Sequence, residues 1–288
     1  MPSHAGAFYE SDSKKCFSEA LELVESASLP ENIPGKLFGG LVPHAGWSFS
    51  GSIAAVTFQA LLGGDREVGT MIIFGADHTG SVDIGEVYDS GAWETPVRTM
   101  VIDQELASGL IDSSELLRAN PSAHSMEHSI EVQLPLLAAI NPELKIVPIA
   151  MPLRQLSVEA GLAVGELLRN SDRSDVLIAG SSDLTHHGGH FGNPGGHGPD
   201  SEKYAAQNDR RIINLIEQLR AEEIIPEVRE RNNACGAGAI AATISAVRAM
   251  GATSGTLLAY TNSYRLTHER FPQERDDTTV GYASVIFS

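Results

Sequence analysis

The sequence predicts a three-layer α/β fold, in which a central sheet that is mainly parallel, or mixed at its edges, is flanked by helices. Strand-like and helical patterns alternate along most of the 288 residues, as they do in chains built from strand–helix–strand units. Several strand-like runs are continuously apolar, which is typical of strands covered on both faces. No break in composition marks a linker, so we predict a single domain over residues 1–288.

Seven segments have the apolar character of strands. The run "TMIIFGA" is apolar almost throughout, and "KLFGGLVPH" is a short apolar run that stops at a proline, a residue that cannot donate to a strand ladder. The predicted strands are residues 36–44, 70–76, the first part of 97–111, 144–152, 175–183, 254–263 and 278–288.

Seven further segments have helical periodicity. In residues 14–28, the spacing places Phe17, Leu21 and Val24 on one apolar stripe, and Gly251 follows the last helical pattern as a C-terminal stop. The predicted helices are residues 14–28, 52–64, the second part of 97–111, 127–140, 157–170, 200–220 and 235–252.

The composition excludes several classes of protein. A net charge of −17 disfavours nonspecific binding to nucleic acid or to anionic lipid. No apolar run reaches the roughly 18 residues of a membrane-spanning helix, and the first residues lack the pattern of a secretory signal. The two cysteines, Cys16 and Cys235, form no C-x-x-C pair. We therefore expect a reduced, cytoplasmic protein with no nucleic-acid or membrane partner.

Three histidines follow predicted strands at short distances: His44, His78 and His186. Any one of them alone is most simply a turn residue. In open α/β sheets, however, ligands bind beyond the carboxyl ends of the strands. If the three strands are neighbours, the imidazoles converge on one edge of the sheet.

Cys235 adds a thiol, because it stands just before a predicted alanine-rich helix whose start favours the thiolate. The alternative is a small buried apolar side chain, the role that we give to Cys16. His44, His78 and Cys235 would form a three-ligand site with open positions, as catalytic metals have. Two imidazoles and a thiolate suit iron, zinc or copper and suit magnesium or calcium poorly.

Two polar clusters could act beside such a metal. In "EHSIEVQLPLL", Glu127, His128 and Glu131 stand at a predicted helix start, where the simplest role of the acids is to face the helix dipole. The alternative is a proton relay or substrate contact by His128, with Glu131 as the acceptor that orients it. In "SSDLTHHGG", Asp183 could orient His186 as a general acid or base. A Ser-His-Asp hydrolase is a rival, although no G-x-S-x-G turn is present.

Five motifs in their order resemble the MEMO family: "PHAGWSFSG", "GADHTG", "EHSIEVQLPLL", "SSDLTHHG" and "NNACGAGAI". The opening "SHAGAFYE" and the closing "VGYASVIF" extend the resemblance over nearly the whole chain. The resemblance implies metal ligation by His44, His78 and Cys235, with His186 beside them and His128 in the "EHS" motif. It also makes Trp47 a candidate pocket wall, and with Glu127 and Glu131 we assign it to substrate binding.

MEMO proteins are similar in fold to class III extradiol dioxygenases, which use non-haem Fe(II). The resemblance therefore implies an iron protein with a redox or dioxygenase-like role on an unknown small substrate. The dioxygenases have a carboxylate as the third ligand, so Cys235 is a departure from them. The glycine- and histidine-rich loop 187–198 is atypical of the MEMO pattern. The alternatives are a peptide- or protein-binding module that uses the same cleft, and a zinc-dependent hydrolase. Prokaryotic relatives imply an AMMECR1-like protein and a radical-SAM protein as partners.

Overall fold

A computed structural model of the chain describes residues 2–64, 67–191, 199–270 and 278–288. The helices are α1 (Ser13–Glu25), α2 (Trp47–Leu62), α3 (Gln104–Ser113), α4 (Leu134–Ile140), α5 (Leu156–Arg169), α6 (Pro199–Glu217), α7 (Ala221–Arg231), α8 (Ala237–Met250) and α9 (Ser263–Arg270). The strands are β1 (Gly39–Val42), β2 (Thr70–Gly75), β3 (Gly85–Val87), β4 (Ala92–Glu94), β5 (Thr99–Val101), β6 (Leu117–Ala119), β7 (Lys145–Ala150), β8 (Val176–Ser181), β9 (His186–Gly188), β10 (Gly255–Asn262) and β11 (Thr278–Phe287).

One mixed sheet forms the centre of the molecule. Its strand order is β10-β11-β1-β8-β2-β7-β3-β6, with β9 paired to β11, and β4 and β5 form a separate hairpin. The four central strands β1, β8, β2 and β7 are parallel. Towards the edges, β11 runs antiparallel to β1, and β3 runs antiparallel to β7. The predicted α/β class with a parallel core and mixed edges is confirmed.

Helices cover both faces of this sheet. Leu41 pairs with Gly180 across β1 and β8, so Gly40 and Gly180 face opposite sides. A Cβ atom at Gly40 would lie 2.6 Å from Thr57 of α2, and one at Gly180 would lie 2.3 Å from Thr243 of α8. Glycine at these positions lets α2 approach one face closely and α8 the other. Helices α1 and α4 pack with α2, while α5 and α7 pack with α8.

The central strands are buried as their apolar runs predict. Every residue of β1, β2 and β8 is buried, because helices lie above and below them. Among the residues that the structure describes, no helix is long and apolar enough to cross a membrane.

Helix α1 buries a different stripe from the one predicted. Cys16, Ala20 and Val24 are its buried residues, whereas Phe17 is 43 % exposed, so the placement of Phe17 on the buried side was wrong. The small side chains let α1 lie close against α2 and α4. The carboxylate of Asp12 caps the helix by accepting hydrogen bonds from the backbone N–H groups of the first turn.

The prediction of a helix over 127–140 holds only for its second half. Glu131–Gln133 is a short 3₁₀ helix, and α4 begins at Leu134, with Pro135 in its first turn. Glu127 and His128 therefore precede the helix, and their assignment to a helix start was wrong. The physical reason is tertiary, because both glutamates of this segment accept hydrogen bonds from distant parts of the chain.

Candidate metal centre

The three strands that precede the predicted histidines are neighbours. β8 lies between β1 and β2, and all three are parallel, so their carboxyl ends meet at one edge of the sheet. His44 follows β1, His78 follows β2, and Asp183 and His186 follow β8. The expectation that these turns share one edge is confirmed.

His44, His78 and Cys235 come together at that edge. Each offers one donor atom, and the three atoms lie within 4.8 Å of one another. Cys235 Sγ is 3.1 Å from His44 Nε2, and the rings of His44 and His78 meet edge to face with 5.1 Å between their centroids. Residues separated by up to 191 positions thus present two imidazoles and a thiol to one point.

Cys235 is held there by the loop after β8. Its backbone N–H donates to Asp183 O at 3.3 Å, and the N–H of Gly236 donates to Ser182 Oγ at 2.9 Å. Gly236 is the N-cap residue of α8, which packs on β8. A Cβ atom at Gly236 would lie 2.5 Å from Ser181 O, so glycine permits this close approach of the two loops.

The ring of His44 has a fixed tautomer. Its Nδ1 is 3.0 Å from Ser181 Oγ, and that hydroxyl donates its own proton to Ser129 O at 2.7 Å. Because the hydroxyl proton is committed to Ser129, Ser181 accepts a proton from Nδ1 of His44. The unprotonated Nε2 of His44 therefore faces Cys235.

Glu127 likewise orients the ring of His78. Its Oε2 accepts the backbone N–H of His78 at 2.8 Å, and its Oε1 lies 3.0 Å from His78 Nδ1. The backbone N–H of Ser129 also donates to Oε1 at 2.8 Å. Burial opposes the charged carboxylate, but the contacts with His78 outweigh it and hold the pKa of Glu127 well below its ordinary value. The Glu127 carboxylate thus holds Nδ1 of His78 and leaves Nε2 as the nitrogen that could bind a metal.

The three donors influence one another's protonation. Burial lowers the pKa of His44 well below its ordinary value, and the neighbouring His78 lowers it further. Burial also opposes the charge on His78, but hydrogen bonds to Cys235 and Glu127 raise its pKa to about 10. Burial raises the pKa of the Cys235 thiol. Burial thus opposes the thiolate that the start of α8 is expected to favour, and that expectation stays a prediction.

His128 lies beside the three donors. Its ring stacks on His78 with 4.5 Å between centroids, and it meets His44 edge to face at 5.2 Å. Its Nδ1 is 3.7 Å from Glu127 Oε1, so Glu127 rather than the predicted Glu131 is the acid nearest its ring. Burial and the charge of His78 lower the pKa of His128 to about 4. His78, Glu127 and His128 also form a second group whose donor atoms lie within 4.8 Å of one another.

Asp183 does not orient His186, and that part of the prediction was wrong. The Asp183 carboxylate accepts the backbone N–H of His44 at 2.7 Å and that of Ala45 at 3.3 Å. Burial raises its pKa to about 7. His186 instead places Nδ1 2.9 Å from Leu184 O, so Nδ1 carries the proton. Asp183 therefore positions the His44 turn, while the backbone orients His186.

Glu131 binds the start of the chain. Its carboxylate accepts the backbone N–H groups of Ser3 at 3.0 Å and His4 at 2.7 Å, and the hydroxyl of Tyr9 at 2.8 Å. Only 2 % of the surface of Glu131 is exposed. The carboxylate therefore anchors the N-terminal segment, residues 3–9. Glu127 rather than Glu131 lies beside the ring of His128, and the predicted role of Glu131 in binding substrate stays a prediction.

Trp47 is part of the core. It is 3 % exposed, and its indole N–H donates to Val132 O at 3.0 Å. Its ring packs against Tyr9 with 5.6 Å between centroids. Trp47 therefore fixes the start of α2 against the N-terminal segment, and its role as a pocket wall stays a prediction.

The N-terminal segment supplies two rings that the sequence analysis missed. Phe8 lies 4.6 Å from the ring of His128, and His4 lies 5.8 Å from it. Both belong to "SHAGAFYE", which was noted for its family resemblance but not for chemistry. A cavity of about 500 Å³ borders the same segment and is lined by Ser3, Tyr88, Ala92, Trp93, Glu94, Pro121, Ser122, His124, Ser125 and Glu131. Most of the predicted loop 187–198 lies outside the described residues.

Comparisons with known proteins agree with this architecture. A family model described as Memo-like protein matches residues 1–286. A MEMO1 family protein of Methanopyrus kandleri is 35 % identical over 99 % of this chain and 98 % of its own length. Another, of Methanothermobacter thermautotrophicus, is 33 % identical over 98 % of both chains. The crystal structure of an uncharacterized protein from Escherichia coli K12 covers 88 % of this chain and 100 % of its own, at 11 % identity and a TM-score of 0.53, and so shows a shared fold alone.

Proposed function

The chain belongs to the Memo-like protein family, and we propose that it is a non-haem iron protein with a redox, dioxygenase-like role on a small substrate. His44, His78 and Cys235 hold the iron in this proposal. The observation that carries it is the convergence of their three donor atoms within 4.8 Å. Three protein donors at one point are typical of a catalytic metal with open positions, whereas structural zinc takes four.

The surroundings of the donors fit a divalent cation. Ser181 fixes the tautomer of His44, and Glu127 holds the ring of His78. Such partners orient the histidines and raise their basicity as ligands in metal sites. The Glu127 carboxylate also places a negative charge next to the point where the cation would lie. A cation there would take the place of protons that His78 and Cys235 otherwise retain.

Iron is preferred among the metals that this donor set suits. Two imidazoles and a thiolate suit magnesium and calcium poorly but suit iron, zinc or copper. The resemblance of the family to class III extradiol dioxygenases favours iron. When bound, iron would supply one-electron redox chemistry and open coordination positions for the reactants.

His186 is the candidate acid or base beside the donors. Its Nδ1–H donates to Leu184 O at 2.9 Å, which leaves Nε2 as the basic nitrogen. Burial lowers its pKa, so the ring is neutral near neutral pH and able to accept a proton from a substrate. His128, whose pKa is lowered to about 4, is likewise neutral and serves as a hydrogen-bond partner for substrate.

The two cysteines provide a matched test. Cys235 is a proposed ligand, whereas Cys16 is buried in α1. After anaerobic purification, we expect stoichiometric iron in the parent protein and in Cys16→Ala, and loss of iron in Cys235→Ala. Equal trace metal in all three proteins would contradict the ligand assignment.

Oxygen uptake then tests the reaction. With the iron-loaded protein, we expect consumption of O₂ with a catechol or a related chelating substrate, and loss of that consumption in His186→Ala with the iron retained. Stoichiometric zinc instead of iron would overturn the redox proposal and support a zinc hydrolase. Bound iron without any oxygen-consuming substrate would support the peptide-binding alternative.

A further inference from the structure

Two loops carry groups of the candidate centre. The histidine loop, residues 182–185 together with the first residue of β9, carries Asp183 and His186, and the cysteine loop, residues 232–236, carries Cys235. The histidine loop is tied to the sheet by backbone hydrogen bonds, from Ser182 N–H to Val42 O at 2.9 Å and from Leu184 N–H to Gly281 O at 2.8 Å. Side-chain contacts from a neighbouring helix add to these ties and reach the cysteine loop as well. Helix α6 contacts both loops through its buried side.

Asn208 of α6 joins the two loops with one side chain. Its Nδ2 donates to Thr185 Oγ1 at 3.2 Å in the histidine loop and to Arg231 O at 3.0 Å at the end of α7, where the cysteine loop begins. Asn233 of the cysteine loop donates in return from Nδ2 to Asn208 O at 3.1 Å. Asn208 is buried, so these bonds are shielded from exchange with water.

Asp209, the next residue, holds the histidine loop from its backbone. Its Oδ1 accepts the N–H of Thr185 at 2.8 Å, and its Oδ2 accepts the hydroxyl of Tyr260 at 2.7 Å. A Cβ atom at Gly281 would lie 2.0 Å from Oδ2 of Asp209, so glycine at 281 is needed to admit the carboxyl. Gly281 is itself tied to the histidine loop, since its N–H donates to Thr185 O at 3.1 Å.

We infer that Asn208 and Asp209 are positioning residues, which set the distance between the histidine loop and the cysteine loop and so place Cys235 and His186 at the centre. As an account of metal binding, this inference rests on the proposed function. The physical basis is that ligand geometry must be held within roughly 0.5 Å by buried side chains that are themselves fixed. Asn208 and Asp209 are both buried on one helix, α6, as that condition requires.

Asn208→Leu tests the inference, because leucine has a similar size but no donor. Cys16→Ala serves as the background, so that Cys235 is the only cysteine. In the metal-free protein, we expect iodoacetamide to alkylate Cys235 about tenfold faster in Asn208→Leu. We also expect about tenfold weaker binding of Co²⁺, with a weaker thiolate-to-cobalt absorption band, as is typical when partners of metal ligands are changed.

Ile216→Ala is the matched control on the same helix. Ile216 is 1 % exposed in the core, so its truncation destabilises α6 without removing a hydrogen bond to either loop. We expect its alkylation rate and Co²⁺ affinity to stay within about twofold of the background. Thr185→Val is a milder second variant, since it removes only the acceptor of the Asn208 bond, and it should move both readouts in the direction of Asn208→Leu.

The alkylation rate decides the inference whether or not metal binds. If Asn208→Leu and Thr185→Val both match Ile216→Ala in alkylation, the two loops do not depend on α6 and the inference is overturned. If alkylation rises in both variants but the parent protein shows no thiolate-to-cobalt band, the loop positioning is supported and the proposed metal function fails.

Discussion

The two ends of the central parallel strands use polar residues in opposite ways. At the amino end, Asp103 accepts hydrogen bonds from Thr70 Oγ1 at 2.6 Å, Arg173 Nη2 at 2.9 Å and Leu106 N at 3.1 Å. Burial opposes its charge, but the bonds from Thr70 and Arg173 outweigh burial and lower its pKa. Opposite charges and hydrogen-bond donors are matched there, so the cluster stabilises the fold.

At the carboxyl end, opposite charges and hydrogen-bond donors do not outweigh burial at every polar group. Burial lowers the pKa of His44 and raises that of Cys235, while the pKa of the intervening His78 rises to about 10. Several nitrogen and sulfur donors share one point that would suit a cation. This difference is the one expected if the amino end contributes stability and if, as we propose, the carboxyl end binds a metal.

The largest expected effect is at the amino end. Asp103→Ala removes the N-cap of α3 and leaves Arg173 without this partner, so the free energy of unfolding should fall by about 2–4 kcal/mol. Urea denaturation measures this loss. Because the pKa of Asp103 is lowered in the fold, its contribution is fully present above the ordinary carboxyl pKa and is lost as pH falls from there through the lowered pKa of the folded state. The iron content per folded molecule should not change. Loss of iron in this variant would contradict the division of roles between the two ends of the strands.

At the carboxyl end, the expected effect falls on affinity. Glu127→Gln removes the negative charge beside His78 while keeping the side-chain size, so metal affinity should fall about 10- to 100-fold. Competition with a chelator measures it. Glu86→Gln is the control, because Glu86 is also buried but pairs with Arg118 outside the centre. Equal affinity losses in both variants would mean that Glu127 has no special relation to the metal.

A further effect follows from protonation at the carboxyl end. Metal binding needs unprotonated His78 and the Cys235 thiolate. Burial alone would lower the pKa of His78, but Cys235 and Glu127 raise it to about 10, so near neutral pH the ring must release a proton to the solvent. Affinity should therefore rise at least about tenfold per pH unit between about pH 6 and 8. Isothermal titration in two buffers of different ionisation enthalpy counts the protons, and an affinity independent of pH would contradict the account.

Much of the fold could be predicted because its signals are local. The apolar runs of β2 and β8 and the glycine stop after α8 mark their elements directly. Periodicity failed at 127–133, where Glu127 and Glu131 take partners more than 45 residues away and hold the chain out of a regular helix. The periodicity also misplaced Phe17, because small residues of α1, and not its largest apolar ones, face the neighbouring helices α2 and α4.

In the candidate site, too, some residues are marked by the local sequence and others are not. Strand ends and glycine-rich turns mark His44 and His78 in the sequence, and the order of the strands then brings them together. Nothing local indicates that Asp183 binds the backbone of residue 44 rather than His186, or that Glu131 anchors the N-terminal segment. Those contacts depend on tertiary placement, as does the link that Asn208 makes between the two loops.

X-ray absorption at the metal edge tests the central claim most directly, because it reports the atoms bound to the metal. For the iron-loaded protein, the account predicts one sulfur and at least two imidazoles in the coordination shell. The sulfur should vanish in Cys235→Ala and remain in Cys16→Ala. A shell of oxygen and nitrogen alone in the parent protein would contradict the assignment of His44, His78 and Cys235 as the ligands.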